Sequence, residues 1–76
     1  MRQVIKKLTY NQDTLAANLR ALRARKNVSR EKAAGAIGIN SYSLRGYEQA
    51  KTSPNLSAAV ALANYYGVTV EDLIKE

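Results

Sequence analysis

Ser41, Tyr42, Arg45 and Gly46 place hydrogen-bonding side chains next to a residue that has no side chain. If this segment is a helix, the four residues share one side, because residues three or four positions apart are neighbours on a helical surface. Hydroxyl and guanidinium groups can donate hydrogen bonds to a partner, and Gly46 can let the backbone approach that partner closely. The pattern therefore predicts a helix that presents its polar side for binding.

Positive charge is unevenly distributed along the chain, which has 76 residues and a net charge of +6. Nine basic residues lie in the first 32 positions, where Asp13 and Glu31 are the only acids. The last six residues contain three acids and one lysine. This asymmetry predicts a positive face for a polyanion, although charge alone is equally compatible with a solubilising surface.

Composition excludes several classes of protein. The chain has no His and no Cys, so it has no ordinary catalytic triad, no imidazole or thiolate metal site and no disulfide. No Gly-x-Gly-x-x-Gly or P-loop sequence indicates a nucleotide site. We therefore expect neither an enzyme nor a bound metal, cofactor or small molecule. Because no apolar stretch approaches ~20 residues and no signal peptide is recognisable, we expect a cytoplasmic protein without membrane contact.

The hydrophobic pattern divides the chain into a basic N-terminal arm, residues 1–12, and one domain, residues 13–76. Five segments of the domain show helical signals, and each begins near a residue that can cap a helix. The predicted caps are Asp13 or Thr14, Ser29, Asn40, Asn55 and Thr69. We therefore predict an all-α fold of five short helices.

Apolar residues at helical spacing define the predicted inward faces of these helices. They are Leu15, Leu19 and Leu22; Ala33, Ala34 and Ile37; Leu44 and Tyr47; Leu56, Ala59, Val60, Ala63 and Tyr66; and Val70, Leu73 and Ile74. Gly35 indicates close packing against helix 2, since Gly costs about 1 kcal/mol relative to Ala inside a helix. The short Gly-Ile-Asn link at 38–40 predicts a steep angle between helices 2 and 3.

The segment 18–74 resembles the Cro and lambda-repressor type of helix-turn-helix family, also called the xenobiotic-response-element type. The motifs that carry the resemblance are Leu-Arg-x-Leu-Arg at 19–23, Val-Ser at 28–29, Ile-Gly-Ile-Asn at 37–40, Tyr-Glu at 47–48, Pro-x-Leu at 54–56 and Tyr-Gly-Val-Thr-Val-Glu-Asp-Leu-Ile at 66–74. The resemblance implies a compact lambda-repressor-like domain whose third helix, about residues 40–49, lies in the DNA major groove. It further implies a sequence-specific regulator of transcription, by default a repressor, that binds operator DNA as a homodimer.

The resemblance also implies roles for individual residues of this sequence. Base edges would be contacted by Ser41, Tyr42, Arg45 and Gly46, with a phosphate contact as the alternative for Arg45. Phosphates would be bound by Arg30, Lys51 and Lys26 as cations and by Asn40, Ser43 and Thr52 as neutral donors. Arg23 and Glu48 would form an ion pair between helices 1 and 3. An exposed Tyr65 beside Val68 would belong to the dimer interface.

Three positions depart from the family pattern. Arg30 occupies a position where Gln is usual, which adds charge to a phosphate contact. Gly46 occupies a position where a longer side chain often reads a base, so one reading side chain is missing. Ala50 occupies a position where Gly adopts a left-handed turn, and Ala there is strained by about 1 kcal/mol unless the helix continues.

Two other functions are compatible with parts of the sequence. An antitoxin or another regulatory module could keep this fold and bind a protein. Such modules usually append a partner-binding segment, and we expect only residues 1–12 to be available for that task. The Gly-Ala-Ile-Gly at 35–38 matches the GXXG loop of the KH RNA-binding fold. That fold needs strands around the loop, whereas the neighbouring residues here favour helices.

Overall fold

The computed structural model of the protein describes residues 10–76, which form five α-helices joined by short turns. The helices are α1 (Gln12–Lys26), α2 (Arg30–Ile37), α3 (Ser41–Glu48), α4 (Leu56–Tyr66) and α5 (Val70–Ile74). No strand occurs within the described range, so the predicted all-α architecture is confirmed. Of the predicted arm, residues 1–12, the first nine lie outside the described residues.

Side chains cap the start of every helix in this range, and four of the caps are those that the sequence predicted. Oxygen atoms of Ser29, Asn40, Asn55 and Thr69 each accept a hydrogen bond from a backbone N–H three residues later. Thr69 and Asp72 complete a reciprocal capping box. The prediction for α1 was wrong, because Asn11 Oδ1 accepts from the N–H groups of Asp13 and Thr14, at 2.8 and 3.2 Å. Asn is as good a cap as Asp, and the observed cap lies two residues before the nearer predicted one, so that α1 begins at Gln12.

The core is formed by one or more leucines from every helix except α2, which contributes small side chains. The largest fully buried apolar residues are Leu15, Leu19, Leu44, Leu62 and Leu73. Ala33 and Ala34 are the buried residues of α2, and their small size allows α3 and α4 to pack closely against it. Leu44 has no exposed surface, so α3 is anchored to the core by the side that the sequence predicted.

Helix α4 buries a face that agrees only in part with the predicted one. As predicted, Ala63 is buried and Ala59 and Tyr66 pack against the core. Ala58 and Leu62 are buried, whereas Leu56 and Val60 are 76% and 41% exposed. The helix has apolar residues on nearly all sides, so helical spacing alone does not define which stripe packs inward. Ile74, also predicted in the core, is 38% exposed at the end of α5.

Gly35 and Ala50 each occupy a position whose backbone conformation would suit the other residue type better. Gly35 is exposed within α2, and a Cβ atom there would meet nothing within 4 Å. The expected close packing at Gly35 is therefore wrong. Ala50 has a φ of +59° directly after α3. The N–H groups of Ala50 and Lys51 donate to the carbonyl groups of Tyr47 and Gly46, which closes the helix with a left-handed turn.

We expect Gly35→Ala and Ala50→Gly each to raise the free energy of unfolding by about 1 kcal/mol. The first change removes backbone freedom from the unfolded chain, and the second relieves a left-handed conformation that disfavours a Cβ atom. Urea denaturation of the two variants measures both effects. Ala36→Gly, at an exposed position of the same helix, is the control and should destabilise by a similar amount. A loss of stability in Gly35→Ala would contradict the open surroundings of Gly35.

Candidate nucleic-acid interface

Helix α3 presents a polar face to solvent on the side opposite its core contacts. Tyr42 is 81% exposed and Arg45 is exposed, while Tyr47 is half-buried against the core. Ser41, at the start of the helix, is half-buried. The helix therefore has the orientation that its sequence predicted, with Leu44 inward and the donor groups of Tyr42 and Arg45 outward.

A cleft of about 500 Å³ lies between the outer face of α3 and the loop that follows it. Six residues with predicted contacts to bases or phosphates line this cleft: Tyr42, Ser43, Arg45, Gly46, Lys51 and Thr52. Gln49 also lines it and was not among the predicted site residues. The fold thus brings three of the four predicted base-reading residues and part of the predicted phosphate-binding set onto one surface, whereas Ser41 does not line the cleft.

Gly46 allows the loop after α3 to pass close to the helix. A Cβ atom at this position would lie 2.5 Å from Thr52 Oγ1, so a larger residue would force Thr52 to move. The Gly46 carbonyl accepts hydrogen bonds from the N–H groups of Lys51 and Thr52, at 2.9 and 3.3 Å. The structure therefore gives Gly46 a role that the sequence did not predict, which is to leave room beside α3 for the Thr52 side chain.

The remaining predicted phosphate contacts lie outside this cleft. Asn40 uses its side-chain oxygen to accept from the Ser43 N–H at 2.8 Å, which leaves its amino group available as a donor. Lys26 lies at the end of α1, with Nζ 4.8 Å from the centre of the Tyr65 ring. This distance is that of a cation–π contact. Lys26 is therefore engaged with a neighbouring side chain, although it is exposed.

The expectation that Tyr65 is exposed was wrong. Tyr65 and Val68 are both half-buried and pack against the core. The Tyr65 ring also meets the ring of Tyr66 edge to face, with centroids 5.1 Å apart. Aromatic pairs prefer this geometry, so Tyr65 has a structural reason for its position that does not require a second subunit.

Glu48 is a fully buried carboxylate at the end of α3, and three arginines converge on it. Arg23 binds it through two hydrogen bonds, from Nε to Oε2 at 2.8 Å and from Nη2 to Oε1 at 3.1 Å. Arg30 Nε donates to Oε1 at 3.1 Å. Arg20 Nη1 donates to the backbone carbonyl of Glu48 at 2.6 Å. We call these four residues the Glu48 cluster; it ties α3 to both α1 and α2.

The electrostatics of the Glu48 cluster leave it with excess positive charge. The hydrogen bond to Glu48 raises the pKa of Arg23, so this guanidinium remains charged. Burial raises the pKa of the neighbouring Tyr66 to about 12, which keeps its hydroxyl neutral at physiological pH. Arg23 and Arg30 therefore face one carboxylate with two positive charges.

The pair of Arg23 and Glu48 is the one that the resemblance implied, whereas the participation of Arg20 and Arg30 was not predicted. One signal was available for Arg20, because it lies three residues before Arg23 and thus on the same side of α1. For Arg30 the signal was the replacement of the usual Gln by a longer residue that carries more donors.

The part of the chain that the structure describes contains neither a metal-binding cluster nor a membrane-spanning helix. No three His, Cys, Asp or Glu residues between positions 10 and 76 come together in a way that could hold a metal ion. In the same range, every helix is too short or too polar to cross a membrane.

Comparison with known sequences identifies relatives of this chain. The profile of a family described as "Helix-turn-helix domain" matches residues 14–75. The cryptic phage CTXphi transcriptional repressor RstR of Vibrio cholerae is 30% identical over 61 residues, which cover 80% of this chain and 55% of RstR. The HTH-type transcriptional regulator DdrOP3 of Deinococcus deserti is 36% identical over 61 residues, 80% of this chain and 47% of DdrOP3. The chain thus spans about half the length of these relatives.

Solved structures show the same fold. The P22 c2 repressor, crystallised with a synthetic operator, has a TM-score of 0.78 at 20% identity, over 80% of this chain and 92% of the repressor. The restriction-modification controller protein C.AhdI of Aeromonas hydrophila has a TM-score of 0.77 at 24% identity, over 82% and 94% of the two chains. The LexA repressor of Eubacterium rectale has a TM-score of 0.82 at 22% identity, over 86% and 69%. At these identities the similarity shows the fold alone.

Proposed function

The chain belongs to the family of helix-turn-helix domains, and we propose that it is a sequence-specific DNA-binding regulator of transcription. Helices α2 and α3 form the helix-turn-helix, and α3 lies in the major groove. The observation that carries this proposal is the division of α3 into a fully buried side at Leu44 and a polar side with an 81% exposed Tyr42 and an exposed Arg45. One side holds the helix on the domain, and the other remains free to read base edges.

The outer face of α3 has the donors that major-groove recognition requires. Arg45 would donate two hydrogen bonds to O6 and N7 of guanine, which is the commonest specific contact between proteins and DNA. Tyr42 can bond to a base or pack against a thymine methyl group, and Ser41 can bond to either type of base pair. These three residues would determine which operator is bound.

Phosphate contacts would supply most of the affinity. The candidates are the cations Arg30, Lys51 and Lys26 and the neutral donors Asn40, Ser43 and Thr52. Each neutralised phosphate contributes about −0.9 to the slope of log K against log salt concentration. For a dimer we therefore expect a slope steeper than about −4. A slope near zero would remove the electrostatic part of the proposal.

Repression is the regulatory outcome that we propose. RstR, whose matched region is 30% identical to this chain, is named a transcriptional repressor. A domain that occupies an operator blocks access to it without any further surface, so repression is the simplest consequence of binding.

Selection of duplexes from a random pool tests the function directly. We expect the protein to enrich one sequence and to prefer it to scrambled DNA by at least roughly a thousandfold, as specific DNA-binding proteins do. The alternative is an antitoxin or regulatory module that binds a protein. Retention of a protein partner after nuclease treatment, combined with failure to enrich any sequence, would favour that alternative and overturn the proposal.

We further propose that the protein binds DNA as a homodimer through an apolar surface on α4 and α5. The most exposed large aliphatic residues of the described range are Leu56, Val60 and Ile74. Leu56 and Ile74 also line an apolar groove of about 270 Å³, and among residues 10–76 no charged residue and no residue of α3 lines it. In a twofold dimer the same patch meets itself, so an uncharged patch suits a chain of net charge +6. The occupant of this surface would be a second copy of the chain.

Leu56→Ser is expected to weaken dimerisation by roughly tenfold or more, because it places a polar group at the most exposed residue of this apolar patch. Tyr65→Ser is the comparison, since the predicted interface at Tyr65 and Val68 would make that variant the defective one. Sedimentation equilibrium of the two variants decides between the surfaces. An unchanged dimer in Leu56→Ser together with a monomeric Tyr65→Ser would restore the interface at Tyr65.

A further inference from the structure

We infer that Arg30 positions the reading helix and binds a DNA phosphate at the same time. Its Nε would hold the end of α3 through Glu48, while its two terminal amino groups would meet the phosphate. The inference rests on the proposed DNA-binding function. It makes Arg30 a positioning residue for sequence recognition as well as a contact to the backbone of DNA.

The geometry of Arg30 separates its donors into two groups. Arg30 is the first residue of α2, and its Nε donates to Glu48 Oε1 at 3.1 Å. Glu48 is fully buried, while the side chain of Arg30 is 30% exposed. Within residues 10–76, the two terminal nitrogens of Arg30 form no hydrogen bond. One edge of the guanidinium is therefore fixed by the protein, and the other edge is available.

The negative charge of Glu48 is already balanced by Arg23, without the charge of Arg30. Arg23 already forms two hydrogen bonds with this carboxylate and supplies one full positive charge against it. The charge of Arg30 is thus the excess charge of the Glu48 cluster, and it lies at the first turn of the helix that crosses the phosphate backbone in this type of domain. A DNA phosphate would balance it.

Only Arg can serve both partners from this position. Its planar guanidinium carries five donors in a fixed arrangement, whereas Lys has a compact charge that cannot hold two acceptors in set directions. The Gln that is usual here has a donor for phosphate but no charge. The departure from the family pattern at Arg30 therefore adds a link between the phosphate contact of α2 and the orientation of α3.

Amide hydrogen exchange of the DNA-free protein tests the positioning role. In Arg30→Lys we expect the amides of Tyr47, Glu48 and Gln49 to exchange about tenfold faster, as expected when a hydrogen bond to a charged group is lost. Amides of α1 and α4 should be unchanged, which separates a local effect from a general loss of stability. Lys32→Gln, at an exposed position of α2, is the control and should leave the exchange of α3 unchanged.

Binding to a duplex selected by the wild-type protein, and to a scrambled duplex, tests the link to recognition. Arg30→Lys should lose about tenfold in affinity for the selected duplex while its affinity for the scrambled duplex and its salt slope stay the same. Arg30→Gln should also reduce the salt slope by about 0.9 per subunit. Lys32→Gln should leave discrimination between the duplexes unchanged.

Two results would overturn the inference: unchanged exchange of α3 in Arg30→Lys, or equal weakening of that variant on both duplexes. An unchanged salt slope in Arg30→Gln would remove the phosphate contact. A wild-type protein that does not distinguish the duplexes would instead overturn the proposed sequence-specific function, while the salt slope of Arg30→Gln would still test the phosphate contact. The exchange measurement would still decide whether Arg30 holds α3, because it needs no DNA.

Discussion

Glu48→Gln is expected to lower the free energy of unfolding by about 3 kcal/mol. The carboxylate is fully buried and accepts hydrogen bonds from Arg23 and Arg30. Gln keeps the shape of the side chain but removes its negative charge, so two guanidinium groups face each other without a counter-charge. A domain of this size has a total stability of about 4–11 kcal/mol, so the loss would be a large fraction of the whole.

Chemical denaturation of Glu48→Gln, monitored by circular dichroism, measures this effect. Glu31→Gln is the matched control, since it removes the same charge from an exposed position of α2 and should change stability by less than about 0.5 kcal/mol. Equal stabilities for the two variants would mean that the Glu48 cluster contributes nothing to the fold. In that case its only role would be the orientation of α3.

Arg45→Ala is expected to reduce discrimination at one base pair of the operator by about 1–3 kcal/mol. The side chain is exposed on the outer face of α3 and lines the cleft beside Tyr42. A bidentate contact with guanine depends on both donors of the guanidinium, so Ala should accept all four base pairs at that position almost equally.

Competition binding with the selected operator and its single-base variants measures the loss of discrimination. Lys51→Ala is the control, because a phosphate contact should weaken binding to all sequences alike and reduce the salt slope by about 0.9 per subunit. If Arg45→Ala behaves as Lys51→Ala does, Arg45 contacts a phosphate and Tyr42 becomes the main reading residue.

The sequence was sufficient to predict features that depend on local chemistry. The helix caps Ser29, Asn40, Asn55 and Thr69 were predictable from local sequence. A short polar side chain directly before an apolar periodic segment can accept a hydrogen bond from a backbone N–H of the first helical turn. Asn27 ends α1 in a left-handed conformation for a similar local reason. The orientation of α3 was also predictable, because its short sequence has a clear polar side and a clear apolar side.

Features that depend on contacts between distant elements were not predictable from local pattern. The buried face of α4 could not be chosen, since apolar residues surround that helix. The side chain of Asn18 donates to the carbonyl groups of Leu73 and Lys75, at 2.8 and 2.9 Å, and so closes the end of α5. No local pattern around Asn18 predicts these hydrogen bonds. The contacts of Arg20 and Arg30 with Glu48 were not predicted for the same reason. Each comes from another helix, and an exposed cation is the ordinary expectation for Arg.

Ala50 shows how the structure decides between two predicted outcomes. The strained left-handed turn occurs at Ala50, and the helix does not continue. The turn directs Lys51 and Thr52 to the cleft beside Arg45, where both line the candidate DNA-binding surface. The strained conformation of Ala50 therefore accompanies a path of the chain that places Lys51 and Thr52 in this cleft.

Methylation interference on the selected duplex tests most directly whether the outer face of α3 lies in the major groove. Dimethyl sulfate modifies guanine N7, which faces the major groove, and adenine N3, which faces the minor groove. We expect methylation of at least one guanine N7 in each half-site to abolish binding, and methylation of adenine N3 at the neighbouring A·T pairs of the same half-site to have no effect. Interference confined to adenine N3, or none at either position, would contradict the placement of Tyr42 and Arg45 against the bases.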